Sequence, residues 1–343
     1  MQMFKRLITY CLLFCLPSVA AAKIVFTSKR DGSHNIYVMD DDGSNVQRLT
    51  FIESPQADGG PAWSPDGTYI AFDRDTYVAK RKTNQKYDIF LMDADGSNVQ
   101  QLTDDFALDG GCTWSPDGHH IAFTSAQNKG FDIYVMDILT REVKQLTHNP
   151  GVREWAKEPS WSPDGKYIAY EQALFGGFLN VGSTIYVMNA DGSRKKELVP
   201  PHNEWSRMLP SWSPDSKSIL YSELRYAVVG KIGKWVACNV VIQRHGSKTR
   251  RLLNIPKKWL VTFVCWMDDG KQVLFAAQEG IGEKFDIYRY HLATNQITNL
   301  TNHPAHDNSM DWISDRVLSV TPRGKISLKW AELKSETQLQ KRN

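Results

Sequence analysis

The chain has 343 residues, with 41 Lys and Arg against 38 Asp and Glu, a formal charge of +3 that falls to +1 once Lys5 and Arg6 leave with an N-terminal leader. A balance this close to neutral gives no global field for nucleic acid. The five cysteines form no CxxC and no disulfide framework, so Cys112, Cys238 and Cys265 are expected as buried free thiols, with one pair as the alternative.

The first predicted element is a leader. Lys5 and Arg6 are followed by the apolar Leu7 to Leu16 and the small-residue exit Pro17 to Ala22, a signal-peptide pattern over 1–22. Its apolar stretch is too short to span a membrane. Bulky Phe14 before Cys15 argues against a lipid attachment there. The chain is therefore expected to be periplasmic or secreted.

From Lys23 onward one unit is copied. Trp63, Trp114, Trp161, Trp212, Trp266 and Trp312 recur every 46 to 54 residues, three of them opening an identical W-S-P-D-G. After each turn comes a short apolar run (Ile70-Ala71-Phe72, Ile121-Ala122-Phe123), then a second (Ile36 to Asp40, Ile133 to Asp137), then a half-polar run ending in Leu-Thr. Short β-branched and aromatic runs bounded by Gly, Asp and Pro read as strands A to D. A fixed period of this length means stacked copies of one unit, and four strands per unit around a ring is an all-β propeller.

The turns agree. Pro presets the second position of the A–B turn, while Asp and Gly suit the third and fourth. The D-x-D-G-S strings near Asp40, Asp93 and Asn189 are C–D hairpins and lack the twelfth-position Glu of a calcium loop. The chain opens with strands B, C and D but no A, and the strand ending at Trp312 can supply it. That gives six four-stranded blades over 23–315, with 316–343 as a tail. The alternative is a seventh blade drawn from Val317–Thr321, Ile326–Trp330 and Thr337–Leu339.

The consensus W-S-P-D-G, I-A-F, I-Y-V-M-D, D-G-S resembles the propeller repeat of the TolB family, from Lys23 to Trp312. The resemblance implies a six-bladed propeller in the cell envelope and a periplasmic location. TolB has a further domain before its propeller, and here the repeats begin straight after the leader, which puts a part in the Tol–Pal system in doubt. Related repeats accompany prolyl oligopeptidase-type hydrolases, but no G-x-S-x-G elbow occurs here.

The expected function is a non-enzymatic scaffold, monomeric, binding a protein, peptide or glycan. The B–C and D–A connections vary in length while the A–B and C–D turns are uniform, and long loops on a rigid frame are where binding resides. Trp155, Trp205, Trp235 and Trp259 fall there, with Lys231 among the basic residues beside them. Aromatic anchors beside charges suit an interface. The alternative for Trp155, Trp205 and Trp259 is packing over blade junctions.

Five residues before their repeat Trp stand Asp58, Asp109 and Asp307, with Arg207 at the same level. They are the candidate metal ligands, expected to hold calcium or magnesium weakly at the channel mouth. The alternative is a solvated polar mouth with Arg207 as counter-charge. The competing functional reading is a metal-dependent hydrolase or lyase at that mouth, for which no nucleophile or base stands out.

Overall fold

A computed structural model describes residues 22–320, apart from 77–85, 106, 129, 150–153, 177–178, 203, 230–231, 268 and 281. Among the described residues, 24 strands form six antiparallel four-stranded sheets, making a six-bladed propeller. Blade 1 consists of β1 (Lys23–Ser28), β2 (Asn35–Asp40), β3 (Gln47–Arg48) and, from the far end of the chain, β24 (Asp307–Ile313). Blade 2 is β4 (Asp58–Trp63), β5 (Tyr69–Asp75), β6 (Tyr87–Asp93) and β7 (Gln100–Gln101). Blade 3 is β8 (Asp109–Trp114), β9 (His120–Ser125), β10 (Asp132–Asp137) and β11 (Val143–Gln145). Blade 4 is β12 (Glu154–Trp161), β13 (Tyr167–Gly176), β14 (Leu179–Asn189) and β15 (Lys196–Glu197). Blade 5 is β16 (Trp205–Trp212), β17 (Ser218–Val229), β18 (Ile232–Arg244) and β19 (Arg250–Leu252), and blade 6 is β20 (Leu260–Trp266), β21 (Gln272–Gln278), β22 (Asp286–His291) and β23 (Ile297–Asn299).

The ring closes as the missing first strand predicts: β24 pairs with β1, Lys23 opposite Ile313 and Ser28 opposite Asp307. Closure removes the free edge an open sheet would expose. The I-A-F and I-Y-V-M-D runs supply the sandwiched layers, with Ile24, Phe26, Ile70, Phe72, Ile121 and Ala122 buried almost completely.

The Leu-Thr signature has two jobs. Leu49, Leu102 and Leu146 fill the cores between blades. The following hydroxyls accept the strand C amide across the blade, Thr50 from Ile36 N at 2.9 Å and Thr147 from Ile133 N at 2.8 Å. The D-G-S glycine lets a C–D hairpin touch the preceding blade: a Cβ on Gly43 would lie 2.4 Å from Leu300 O, and one on Gly96 2.8 Å from Leu49 O. Both glycines also hold positive φ.

The seventh-blade alternative is overturned at its first strand. Val317–Val320 belong to a short helix, α1 (Asp315–Val320). Ser314 caps it, its Oγ accepting Val317 N at 3.4 Å, and Val317 and Leu318 pack against the cluster holding Trp63 and Ile313. The remaining proposed strands, 326–330 and 337–339, and the leader residues 1–21 lie outside the described residues. Cys112, Cys238 and Cys265 are free thiols, the first and last buried.

Candidate functional site

The two faces of the ring differ in kind. On the A–B face the turns of blades 2 to 5 are each tied by their own Ser and Asp: Ser64 Oγ donates to Asp66 Oδ1 at 2.6 Å and accepts Tyr69 N at 2.9 Å, a pattern repeated at Ser115, Ser162 and Ser213. The six repeat tryptophans converge there around a cavity of about 340 Å³. They therefore form the channel lining on that side as well as the frame. Trp114 Nε1 donates to Ala62 O at 3.1 Å, whereas the indole N–H groups of Trp63, Trp212, Trp266 and Trp312 have no acceptor among the described residues.

On the opposite face two connections that the sequence suggested were loops are continued strands. The turn between β13 and β14 spans only Gly176 to Leu179, and β17 pairs with β18 out to Val229 opposite Ile232. Leu224 to Val229 has the apolar and β-branched composition that keeps a ladder going. Blades 4 and 5 thus carry neighbouring extended hairpins. The close approach of β14 to blade 5 is fixed at Gly182, where a Cβ would lie 2.7 Å from His202 O.

Trp205 and Trp235 belong to this wall, half-buried, Trp205 opposite Arg225 and Trp235 opposite Tyr226. Val236 beside them is 47% exposed. Trp155 packs edge-on against Phe131 at 4.9 Å, and Trp259 lies tilted against Tyr288 at 4.6 Å, within the cluster shared by blades 5 and 6. Lys231 lies outside the described residues.

The three aspartates do not converge. Asp58 receives two hydrogen bonds from Arg74, at 2.6 and 2.9 Å, with the guanidinium stacked 4.8 Å from the Phe90 ring centre. Asp307 is held by Arg30 at 3.1 Å, over Tyr37. Among the described residues Asp109 has neither an arginine nor hydrogen-bond geometry to either oxygen, and burial pushes its pKa up to about 6, opposed by the nearby Ser125 and Thr103 hydroxyls. Arg207 is no counter-charge to them: it is buried against Glu223 at 2.9 Å, which also takes Arg250 at 2.9 Å. Among the described residues no group of three or more His, Cys, Asp or Glu side chains is arranged to hold a metal.

A different acidic site sits in the channel. In blades 1 to 5 the innermost strand bulges three residues before its Trp, where Ser309, Gly60, Gly111, Glu158 and Leu209 take positive φ. A bulge re-aims the strand locally. Asp73, from β5, reaches the channel at this level, its carboxyl lying against Gly59, Gly60 and Gly110. A Cβ on Gly60 would lie 2.5 Å from Asp73 Oδ1, and one on Gly111 3.0 Å from Glu158 Oε2. Two glycines therefore leave room for two carboxyls facing one cavity of about 260 Å³, with Glu158 keeping the left-handed backbone that glycine holds in blades 2 and 3.

Burial raises the pKa of both, with the charges of Glu158 and Asp58 adding to it at Asp73 and that of Glu171 at Glu158: Asp73 to about 7 and Glu158 to about 6. The sequence carried a signal for the glycines, the twin D-G-G-x-x-W strings. Nothing in one strand alone showed that Asp73 and Glu158, from blades 2 and 4, meet around Gly111.

Residues 73–227 match the family model described as TolB beta propeller domain. Over those residues the chain carries TolB-type propeller repeats. A TolB homolog of Chlorobium chlorochromatii is 32% identical over an alignment of 145 residues, with 32% of this chain and 32% of that protein covered. The chain is thus matched over about a third of that relative's length. Among solved structures, TolB from Acinetobacter baumannii superposes with a TM-score of 0.65 at 21% identity, over 86% of this chain and 67% of that one. Hydrazine synthase of Kuenenia stuttgartiensis superposes with 0.66 at 16% identity, over 85% and 47%. At these identities the structural matches speak for the fold alone, which hosts both kinds of protein. No helix of the described residues is long and apolar enough to cross a membrane.

Proposed function

We propose that the protein is an exported, non-enzymatic propeller that binds a protein partner in the cell envelope. The leader pattern at 1–22 supports export, and the TolB-type repeats support an envelope role in which partners are proteins. The observation that carries the reading is the pair of extended hairpins of blades 4 and 5: β18 carries Trp235 and exposed Val236 there, and Trp205 of β16 pairs alongside at the same end of blade 5. Half-buried indoles on rigid strands make low-entropy contact anchors. Asp58, Asp307 and Arg207 are each closed off by an ion pair within their own blade, so the level of the ring they occupy serves the scaffold.

The test is capture of envelope proteins by the immobilised protein, with and without chelator. The expected result is a discrete partner retained in chelator and lost in the double variant Trp205→Ala, Trp235→Ala, whose circular dichroism matches the parent. Capture unchanged in that variant, or lost on chelation alone, would overturn the reading.

A further inference from the structure

Five residues before its repeat Trp, each innermost strand places one side chain at the same level of the ring. In blades 4 and 6 it is apolar, Ala156 and Val261. In blade 5 it is Arg207, answered by Glu223 across the ladder, and in blades 2 and 1 it is Asp58 and Asp307, answered by Arg74 and Arg30. Among the described residues blade 3 alone is left with an acid and no counter-charge. Both oxygens of Asp109 are buried without a hydrogen-bond partner, and so is Ser125 Oγ, opposite it across the ladder. Buried polar atoms in a native fold normally have a partner.

Blade 3 otherwise repeats blade 1 at this level. In blade 1, Asp307 pairs with Ser28, and Arg30, two residues on, lies 5.3 and 4.9 Å from the ring centres of Phe26 and Tyr37. Those rings are 5.8 Å apart and inclined by 32°. In blade 3 the matching rings, Phe123 and Tyr134, are 6.0 Å apart and inclined by 29°. The difference is the residue two beyond the serine. It is Gln127, exposed, with its side-chain amide donating to Asp105. There an open cleft of about 330 Å³ is lined by Asp105, Ala107, Ala126 and Gln127. Ala107 stands two residues before Asp109, and Ala126 follows Ser125 and donates to Leu108 O at 3.2 Å. The cleft therefore adjoins the end of the ladder where Asp109 and Ser125 pair.

We propose that blade 3 takes from outside the guanidinium that blades 1 and 2 carry within: an arginine side chain of a partner polypeptide enters through this cleft past Asp105, pairs with Asp109 and lies over Phe123 and Tyr134. A guanidinium suits the place better than an ammonium. Its planar fork meets both carboxylate oxygens, as Arg74 meets Asp58 at 2.6 and 2.9 Å, and its face stacks on aromatic rings. The cleft opens among the B–C and D–A connections, on the same face as the hairpins of blades 4 and 5. The inference rests on the partner-binding reading only for the source of the arginine. Its test uses small ligands, so its failure leaves the hairpin reading standing.

The experiment titrates the full chain by calorimetry with arginine blocked as its N-acetyl methylamide, with the blocked citrulline that keeps the shape without the charge, and with free arginine. The expected result is saturable binding of blocked arginine, weaker by at least about tenfold for the citrulline form. Asp109→Asn should abolish binding without lowering the melting temperature. Gln127→Arg, which rebuilds the blade 1 arrangement, should abolish it and raise the melting temperature. No saturable binding, equal affinity for the two blocked ligands, or binding retained in either variant would overturn the proposal. Tighter binding of free arginine would assign the site to the amino acid, and a melting temperature lowered by Asp109→Asn would reveal a partner for Asp109 within the chain. Either result would overturn it as well.

Discussion

Asp73 and Glu158 are the residues whose chemistry the fold alters most usefully. Both pKa values are raised in the folded ring, to about 7 and about 6, against roughly 4 in an unfolded chain. Between those limits the native state holds protons that the unfolded state has released. Their burial therefore carries no ionisation cost at low pH and weakens the fold progressively as pH rises from about 4 to about 7. Asp73→Asn should flatten that part of the curve, so that the variant gains stability relative to the parent between pH 5 and pH 8 in chemical denaturation. A difference independent of pH would mean that Asp73 does not titrate there. Arg74 contributes through its ion pair with Asp58. Removing it as Arg74→Ala would leave Asp58, wholly buried, without a partner, a loss of about 3–5 kcal/mol. A loss under about 1 kcal/mol would mean that solvent already reaches Asp58.

At the scale of the strand, the tryptophans divide by what surrounds them. Trp114 is 7% exposed and donates to the neighbouring blade through Ala62 O. Trp114→Ala should cost about 3–5 kcal/mol, as for other truncated buried aromatics. Trp235, half-buried on the extended β18, should cost less than about 1 kcal/mol when changed to Ala. Equal losses in thermal melts would erase the division between frame and surface. The frame was legible because its signals are local and repeated: the Ser-Pro-Asp-Gly turn, the Leu-Thr pair and the D-G-S glycine each satisfy one contact that recurs in most blades. The matched spacing of Asp58, Asp109 and Asp307 was just as visible, but among the described residues it does not gather them into a metal-holding group. Equivalent positions in a ring share a level without sharing a site, and Arg74 and Arg30, each from strand B or just after it, claim two of the three carboxylates.

The whole molecule is a closed ring with one built-up side. Ring closure through β24 could be inferred from a missing first strand, whereas the outward growth of blades 4 and 5 could not be told from loop insertion. The segments between Ala173 and Thr184 and between Leu224 and Asn239 break the repeat, and only pairing across each hairpin shows them as ladders. The channel acids escaped for a related reason, since Asp73 and Glu158 belong to different copies and meet only through the bulge geometry around Gly111.

Partner binding on the built-up face is tested most directly by cutting back the taller hairpin. Residues 226–236 would be replaced by an Asn-Gly turn joining Arg225 to Ala237, which are paired across the ladder. In-cell cross-linking of parent and shortened proteins, at equal abundance and equal melting temperature, should recover a discrete envelope protein with the parent and none with the shortened ring. Recovery of the same protein by both would contradict the assignment of binding to this face.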